Sequence, residues 1–542
     1  MKTALLSGKP LLLFLILVHI FYYPTWNAGF VTDFTGLMSR LEGQSIAGVL
    51  QCFGFPALKQ VLNLFLFLMY NTFGASVLPW YFVFTTFHAV NAYLLFRFSC
   101  NLFQHFQLKG YSFVAWSGAL FFLLSPYQSE VLVWRVCLNY LLVSFFILST
   151  IIQTLRWFKT GKTKHLIYAH LMTLTAFFIF ELALMLPFLC GLLLIGFLRY
   201  SKNEISLKKA LVGLLLPQLA YTTGYFLLNK LILGAWVGHY GAAVHLRFDP
   251  AELISNSLRF LVKMTGFVRY YPHPMKEKIF SLIGQNSIWI TYTSLLMLIA
   301  ILSLFFLKRK HTRLWLCSGF LFMALLALLP VLNLYFNYLL HIENDRYGYL
   351  ASAFFFMALA LVFSYLSGIL RWLVTAAFII ISSFFLITTN QYWKGSTQVY
   401  YSLLEDFRWY DAQHVFLLNL PDNLKGAPMF RDYSGEQMAF SSALKYIRGK
   451  PFEGKIHEIA QYNMTDTVNG VSVQKDARGL KVEFKQWGNW WWRRGIGATN
   501  LENNWYSFIN EGHHYLLQVK RRPASSVFLY QDGLEWKAVK WE

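Results

Sequence analysis

Apolar stretches long enough to cross a lipid bilayer, about 17–25 residues each, recur from the N-terminus to Asn390. No other feature restricts the fold so strongly, because hydrocarbon leaves every backbone polar group to be satisfied internally, which favours helices. The runs lie near 9–27, 79–98, 111–127, 136–155, 165–181, 182–199, 210–233, 287–307, 314–334, 347–367 and 371–390. That predicts eleven crossings. The 57–74 stretch is also apolar, but Pro56, Lys59, Gln60, Asn63 and Asn71 interrupt it, and it reads as a helix lying at the interface. The first run follows Lys2 and Lys9 as a signal peptide would. It reads as a retained helix, since Tyr23 to Ala28 is too bulky for a cleavage site. Charged residues are 13% of the chain, against about 25% in soluble domains. Disorder, a coiled coil and a disulfide-stapled secreted fold are excluded. The five cysteines are scattered, mostly within apolar runs, and suggest inert packing rather than a disulfide framework or zinc site.

The net charge of +21 would suit a nucleic-acid partner were it not for its distribution. With the N-terminus inside, 17 of the Lys and Arg residues up to Asn390 fall in short inner loops, as the positive-inside rule expects. Most of the excess is therefore topogenic, and no nucleic acid is expected. The ten acids of this region divide the other way. Nine lie outside (Asp33, Glu42, Glu130, Glu181, Asp249, Glu252, Glu277, Glu343 and Asp345), and only Glu204 lies inside. Acids contribute little to topology, so their gathering at one face needs a chemical cause.

Beyond residue 390 the composition becomes polar, with 19 basic and 16 acidic residues and no span. Runs such as Val415 to Leu418, Val482 to Phe484, Tyr515 to Val519 and Val527 to Tyr530, separated by Gly, Asn and Asp, read as short strands. The expected architecture is an all-α polytopic membrane protein of about 11 transmembrane helices with a small C-terminal β-rich or α+β extracytoplasmic domain. Residues 1–390 form the membrane module, with outer loops 28–78, 234–286 and 335–346, and 391–542 the outer domain.

Several outer segments could carry chemistry. Asp33 follows the first span directly, where desolvation would raise its pKa and suit it to general-base work; an N-cap or solvated loop acid is the plainer reading. Glu130 and Arg135 are five apart in a tight apolar turn, either paired to each other or facing a substrate. Glu181 sits between two spans, where it could cap a re-entering helix. Intramembrane ionisable groups are costly and usually face a cavity or partner. The 234–286 loop holds His239, His245, Arg247, Arg259, Lys263, Arg269, His273 and Lys276 among aromatic residues. Arg259, Lys263 and Arg269 would share one face of a helix over 252–270, suited to phosphate or to lipid headgroups. The last loop, His341 to Leu350, places Asp345, Arg346 and Tyr347 at the mouth of a span, a pattern fitting an anionic headgroup. Trp487, Trp490, Trp491, Trp492, Arg493 and Arg494 could stack on sugar rings, fill a small β core or rest on the membrane. Asn463-Met464-Thr465 is a lone glycosylation sequon, and no nucleotide-binding or zinc-protease motif appears.

Taken in order, these elements resemble GT-C membrane glycosyltransferases, specifically the branch of transmembrane O-mannosyltransferases and their bacterial relatives. Asp33 matches the acid after span one. Ser125-Pro126-Tyr127-Gln128-Ser129-Glu130-Val131-Leu132 is similar to a His-Pro-x-x-x-Glu-Ala-Val element. Phe180-Glu181-Leu182-Ala183-Leu184-Met185-Leu186-Pro187 is similar to Lys-Glu-x-x-Leu-x-Leu-Pro. Leu329-Pro330-Val331-Leu332-Asn333-Leu334 and Asp345-Arg346-Tyr347-Gly348-Tyr349-Leu350-Ala351-Ser352 follow, the latter resembling Glu-Arg-Tyr-x-Tyr-Leu-Pro-Ser. The chain departs from the branch in three ways: a lone Asp33 after Thr32 instead of paired acids, no His or Gly-Arg in the second loop, and no tetratricopeptide repeats.

The resemblance implies a GT-C-like module using a polyprenyl-phosphate sugar (dolichyl or undecaprenyl). It places the chain in a bacterial inner membrane, with an inside N-terminus and a periplasmic C-terminal domain. Asp33 would be the general base on an acceptor hydroxyl. Arg346, with Arg259 or Arg269, would hold the lipid phosphate, and Glu130 and Glu181 would shape the cavity or position the acceptor. No cofactor is expected beyond a divalent metal, which stays open. The acceptor could be a protein, glycan or lipid. The alternatives are a flippase or transporter, or an O-antigen ligase or polymerase, handling lipid-linked glycans.

Overall fold

A computed structural model describes residues 8–51, 57–200, 205–236, 250–306, 312–332, 344–430, 439–486, 489–491, 501–521, 523 and 525–540. The chain forms two compact units. The first comprises 1–23 and 44–387, the second 24–43 and 388–542. The loop read as 28–78 is thus divided, and its first part, with Asp33, belongs to the C-terminal unit.

The first unit is helical. Among the described residues six helices are long and apolar enough to cross a membrane: Arg135–Thr160, Glu181–Leu198, Leu207–Leu233, Thr312–Leu332, Asp345–Phe363 and Gly368–Asp406. Lys9–Thr25, Gln60–Phe73, Tyr111–Leu123 and Ile288–Ala300 are apolar but shorter. The run near 79–98 lies inside a 29-residue helix, Val77–His105. Helices in lipid gain little hydrophobic drive from each other, so close packing through small residues holds them. Gly118 on the Tyr111–Leu123 helix shows this: a Cβ there would lie 2.5 Å from Met357 Sδ and 3.2 Å from Met357 Cα on the Tyr349–Phe363 helix. Buried polar groups add direction. Tyr349 Oη lies 2.8 Å from His88 Nδ1 and accepts from Asn91 Nδ2 at 3.2 Å, while His88 Nε2 is 3.1 Å from the Leu123 carbonyl. Three helices are thereby fixed in rotation.

Among its described residues the second unit carries thirteen short strands: β1 (His414–Leu417), β2 (Leu420–Leu424), β3 (Ala427–Pro428), β4 (Lys455–Glu458), β5 (Gln461–Met464), β6 (Val471–Asp476), β7 (Gly479–Phe484), β8 (Asn489–Trp491), β9 (Leu501–Glu502), β10 (Tyr506–Asn510), β11 (His514–Val519), β12 (Ser526–Asp532) and β13 (Glu535–Ala538). They form three sheets, ordered β13-β12-β1-β4, β6-β7-β11-β10-β9 and β3-β2-β5-β8. β1 runs parallel to both neighbours, and its continuous apolar run is the pattern of a strand covered on both faces. The five-stranded sheet is antiparallel, and β7 alternates buried and half-buried residues, as a one-sided sheet should. Within the same unit the Thr32 amide donates to the Met429 carbonyl at 3.0 Å, and the Phe30 amide donates to Tyr401 Oη at 3.1 Å. Residues 24–43 are therefore tied into the C-terminal unit by hydrogen bonds.

At the β1–β4 edge, His414 Nδ1 lies 2.9 Å from His457 Nε2, and His457 stacks on Phe416 at 4.4 Å between ring centroids. Burial pushes the His457 imidazole down from 6.5 to about 4, and the charges of His414 and Lys455 push the same way. A lowered folded-state value means that this histidine's contribution to stability is complete above about 6.5 and drains away as pH falls toward 4. The unit should lose up to about 3 kcal/mol over that window. In His457→Phe the acid limb of a thermal-denaturation profile should flatten; an unchanged limb would mean that other groups cause it.

Candidate active site

Four segments from three distant parts of the sequence meet in the first unit. In the first, Ser125 Oγ accepts from the Tyr127 amide at 3.4 Å, and Pro126 opens a one-turn helix, a position that needs no amide donor. Two further short turns, Ser129–Val133 and Arg135–Cys137, lead into the Leu138–Thr160 helix. Irregular backbone of this kind, buried among apolar helices, is tolerated only where protein or a cavity covers it. The second and third segments are the Pro250–Gly266 helix and the Val268–Tyr270 turn, joined by Phe267 in a left-handed conformation (φ 49°). A bulky residue seldom adopts that conformation. The fourth is the Asp345–Gly348 turn, entered through Asn344 at φ 69°, a conformation in which Asn is enriched.

These segments bring opposite charges together. Glu130 forms an ion pair with the Arg346 guanidinium, and its second oxygen accepts from the Arg346 backbone amide at 2.9 Å. The guanidinium lies over two rings, Trp134 at 4.9 Å and Tyr347 at 4.6 Å. Next in the chain, the Asp345 carboxylate takes two cations, Lys263 on one oxygen and Arg269 on the other. Asp345 is 1% exposed, Lys263 5% and Arg269 3%. The Tyr127 ring lies against both cations, 5.9 Å from Lys263 and 5.3 Å from Arg269. Gln128 Nε2 donates to Ser352 Oγ at 2.8 Å. A cavity of about 10 Å³ is lined by Tyr127, Gln128, Lys263, Asp345, Gly348 and Ser352, among others, about the room one water needs.

Of the two readings of Glu130 and Arg135, the local ion pair is not formed. Glu130 turns to Arg346, 216 positions away, while Arg135 lies over Phe84 at 5.2 Å and donates to the Leu132 carbonyl. Lys263 was read only as one residue of a cationic face, yet it shares Asp345 with Arg269. Five other expectations are distributed elsewhere. Arg259, half-buried, donates to Asn256 Oδ1 at 3.4 Å on its own helix. Glu181 opens the turn Glu181–Met185, where its charge acts on Lys59. Asp33 is the first residue of the helix Asp33–Leu41 in the second unit, where a carboxylate favours the positive end of the helix dipole. Thr32 before it has φ 57°, an outlier for a β-branched residue. Trp490 and Trp491 lie in β8, paired with Tyr462 and Gln461.

His239, His245, Arg247, His341, Glu343, Trp487, Trp492, Arg493 and Arg494 lie outside the described residues. Among the described residues no three His, Cys, Asp or Glu side chains gather as metal ligands. No family model, no curated protein and no solved structure matches the chain. Its function must therefore be argued from this chemistry.

Proposed function

We propose that this chain is a membrane glycosyltransferase of GT-C type, with eleven spans and an outer active face. It would move a sugar from a polyprenyl-phosphate donor to an acceptor hydroxyl. The observation that carries the reading is the cluster of buried Glu130, Asp345, Lys263 and Arg269 with half-buried Arg346. Charges among apolar helices cost several kcal/mol each unless paired, and such residues usually mark a substrate path. An anionic leaving group suits a place already built from cations shared with carboxylates. In the proposed step the acceptor oxygen bonds to the anomeric carbon, and its proton goes to the base. The bond from that carbon to the phosphate oxygen breaks, and its electron pair leaves with the lipid phosphate. The donor is already activated, so the step needs no nucleotide. Asp33 is assigned as the base from the sequence resemblance.

The test is transfer of radiolabelled sugar from a synthetic polyprenyl-phosphate donor by the full-length protein in detergent, where transport has no meaning. Wild type should turn over, and Asp33→Asn should lose about 100-fold or more with only a small fall in the thermal unfolding midpoint from the lost helix-dipole interaction. Full turnover by the variant removes Asp33 from the base role. A wild type that transfers nothing from mannosyl, glucosyl, galactosyl or aminoarabinosyl donors to cell-envelope acceptors overturns the transferase reading.

A further inference from the structure

Arg135 is 2% exposed and has no carboxylate partner among the described residues. Of its three guanidinium nitrogens, Nη1 donates to the Leu132 carbonyl. Nε and Nη2 are buried and meet no acceptor. These two form one edge of the planar guanidinium, along which their N–H bonds run parallel. That edge matches two oxygens of one anion, the geometry in which Arg binds phosphate and carboxylate bidentately. Beside it in sequence, Trp134 Nε1 is also buried without an acceptor. Arg and Trp side chains donate and cannot accept, so two residues consecutive in sequence offer donors only, and one carries a full positive charge. A buried cation without a counter-charge is strongly unfavourable, and buried donors are rarely left unmade. The requirement lapses if an anion completes the site.

We propose that the Nε–Nη2 edge of Arg135 is a seat for a phosphate ester. Naming the ester as that of the lipid donor rests on the transferase reading; the donor edge does not. Arg346 and Arg269 already have carboxylate partners and Arg259 bonds to Asn256 on its own helix, whereas the Nε–Nη2 edge of Arg135 meets no acceptor.

The seat is tested on full-length protein in maltoside detergent, which contains no phosphate. Binding is followed by thermal unfolding and native mass spectrometry, with a polyprenyl phosphate and inorganic phosphate as separate probes. Wild type should retain the anion and unfold a few degrees higher with it. A response to the lipid at concentrations where inorganic phosphate has no effect identifies a headgroup; equal responses identify free phosphate. Arg135→Met removes an unpaired charge while keeping bulk. It should unfold at or above the wild-type temperature without ligand and bind at least about 100-fold more weakly. Arg135→Lys offers a point charge without the edge and should weaken binding about 10-fold or more. If Arg135→Met instead unfolds earlier and keeps the full phosphate response, the side chain only ties down the Leu132 carbonyl and the seat is refuted. The sugar-transfer assay separates the two readings. Wild type that binds through Arg135 but transfers nothing overturns the transferase alone, whereas Arg135→Met that transfers at the wild-type rate overturns the seat alone.

Discussion

Asp345→Asn should lower the stability of the membrane unit by about 3–5 kcal/mol, the cost of leaving buried charges uncompensated. The replacement is nearly isosteric, so no cavity forms and packing is unchanged. What disappears is one negative charge that two cations share, Lys263 and Arg269, each 5% exposed or less. Neither can reach water without moving its helix or turn, and each would repel the other. The Tyr127 ring beneath them offers only a fraction of the lost attraction, about 1–2 kcal/mol for a desolvated cation–π contact. Thermal unfolding in detergent, followed by tryptophan fluorescence, measures the loss. Combining Asp345→Asn with Lys263→Met should recover part of it, because one stranded charge is removed. An Asp345→Asn protein that unfolds with the wild type would show that water reaches these cations, and the buried-cluster argument for function would fall with it.

The second large effect belongs to Glu130 and Arg346. Glu130→Gln keeps an acceptor for the Arg346 amide (2.9 Å) but loses the charge; Glu130→Ala loses both and should be the more destabilising. Arg346→Met removes a cation that lies over Trp134 and Tyr347. Each single change should cost about 3–5 kcal/mol, whereas Glu130→Gln with Arg346→Met should cost less than their sum, with a coupling of about 1–3 kcal/mol. Additive losses would mean that the pair is not energetically joined. On the transferase reading the same changes should reduce turnover by more than stability explains, which a comparison at a temperature where every variant is folded would reveal.

Much of this was legible in the chain itself, for reasons of period and length. Continuous apolar runs over some 20 residues read as membrane helices, and the described residues contain six such helices. The composition changes near residue 390, and the second unit, which also takes in 24–43, resumes at Thr388. The runs at Val415, Val482, Tyr515 and Val527 are strands because alternation or an unbroken β-branched and aromatic run has no other good packing. Glu130 stood out because charge is expensive in apolar surroundings, Asp345 and Arg346 as an acid–Arg pair at the mouth of a span, and Arg269 by its helical spacing from Lys263.

Their partners were not legible. Glu130 and Arg135 are close in sequence, which left a local pair and a substrate contact equally open. The backbone between them instead breaks into two short turns around Trp134, which sends the two side chains to different neighbours. Lys263 gave no signal beyond a helical spacing, because its role depends on Asp345 reaching it across 82 positions. Asp33 was read as part of a membrane loop, and backbone hydrogen bonding within 24–43 and 388–542 assigned it to the other unit.

Composition and periodicity determined what kind of solvent this chain meets, where its apolar helices run and where its polar domain begins, since each follows from local transfer free energies along the sequence. Which cation answers which carboxylate was decided by the tertiary structure alone. A buried charge is satisfied by whatever lies within a few ångströms in space, and chain distance places no limit on that choice.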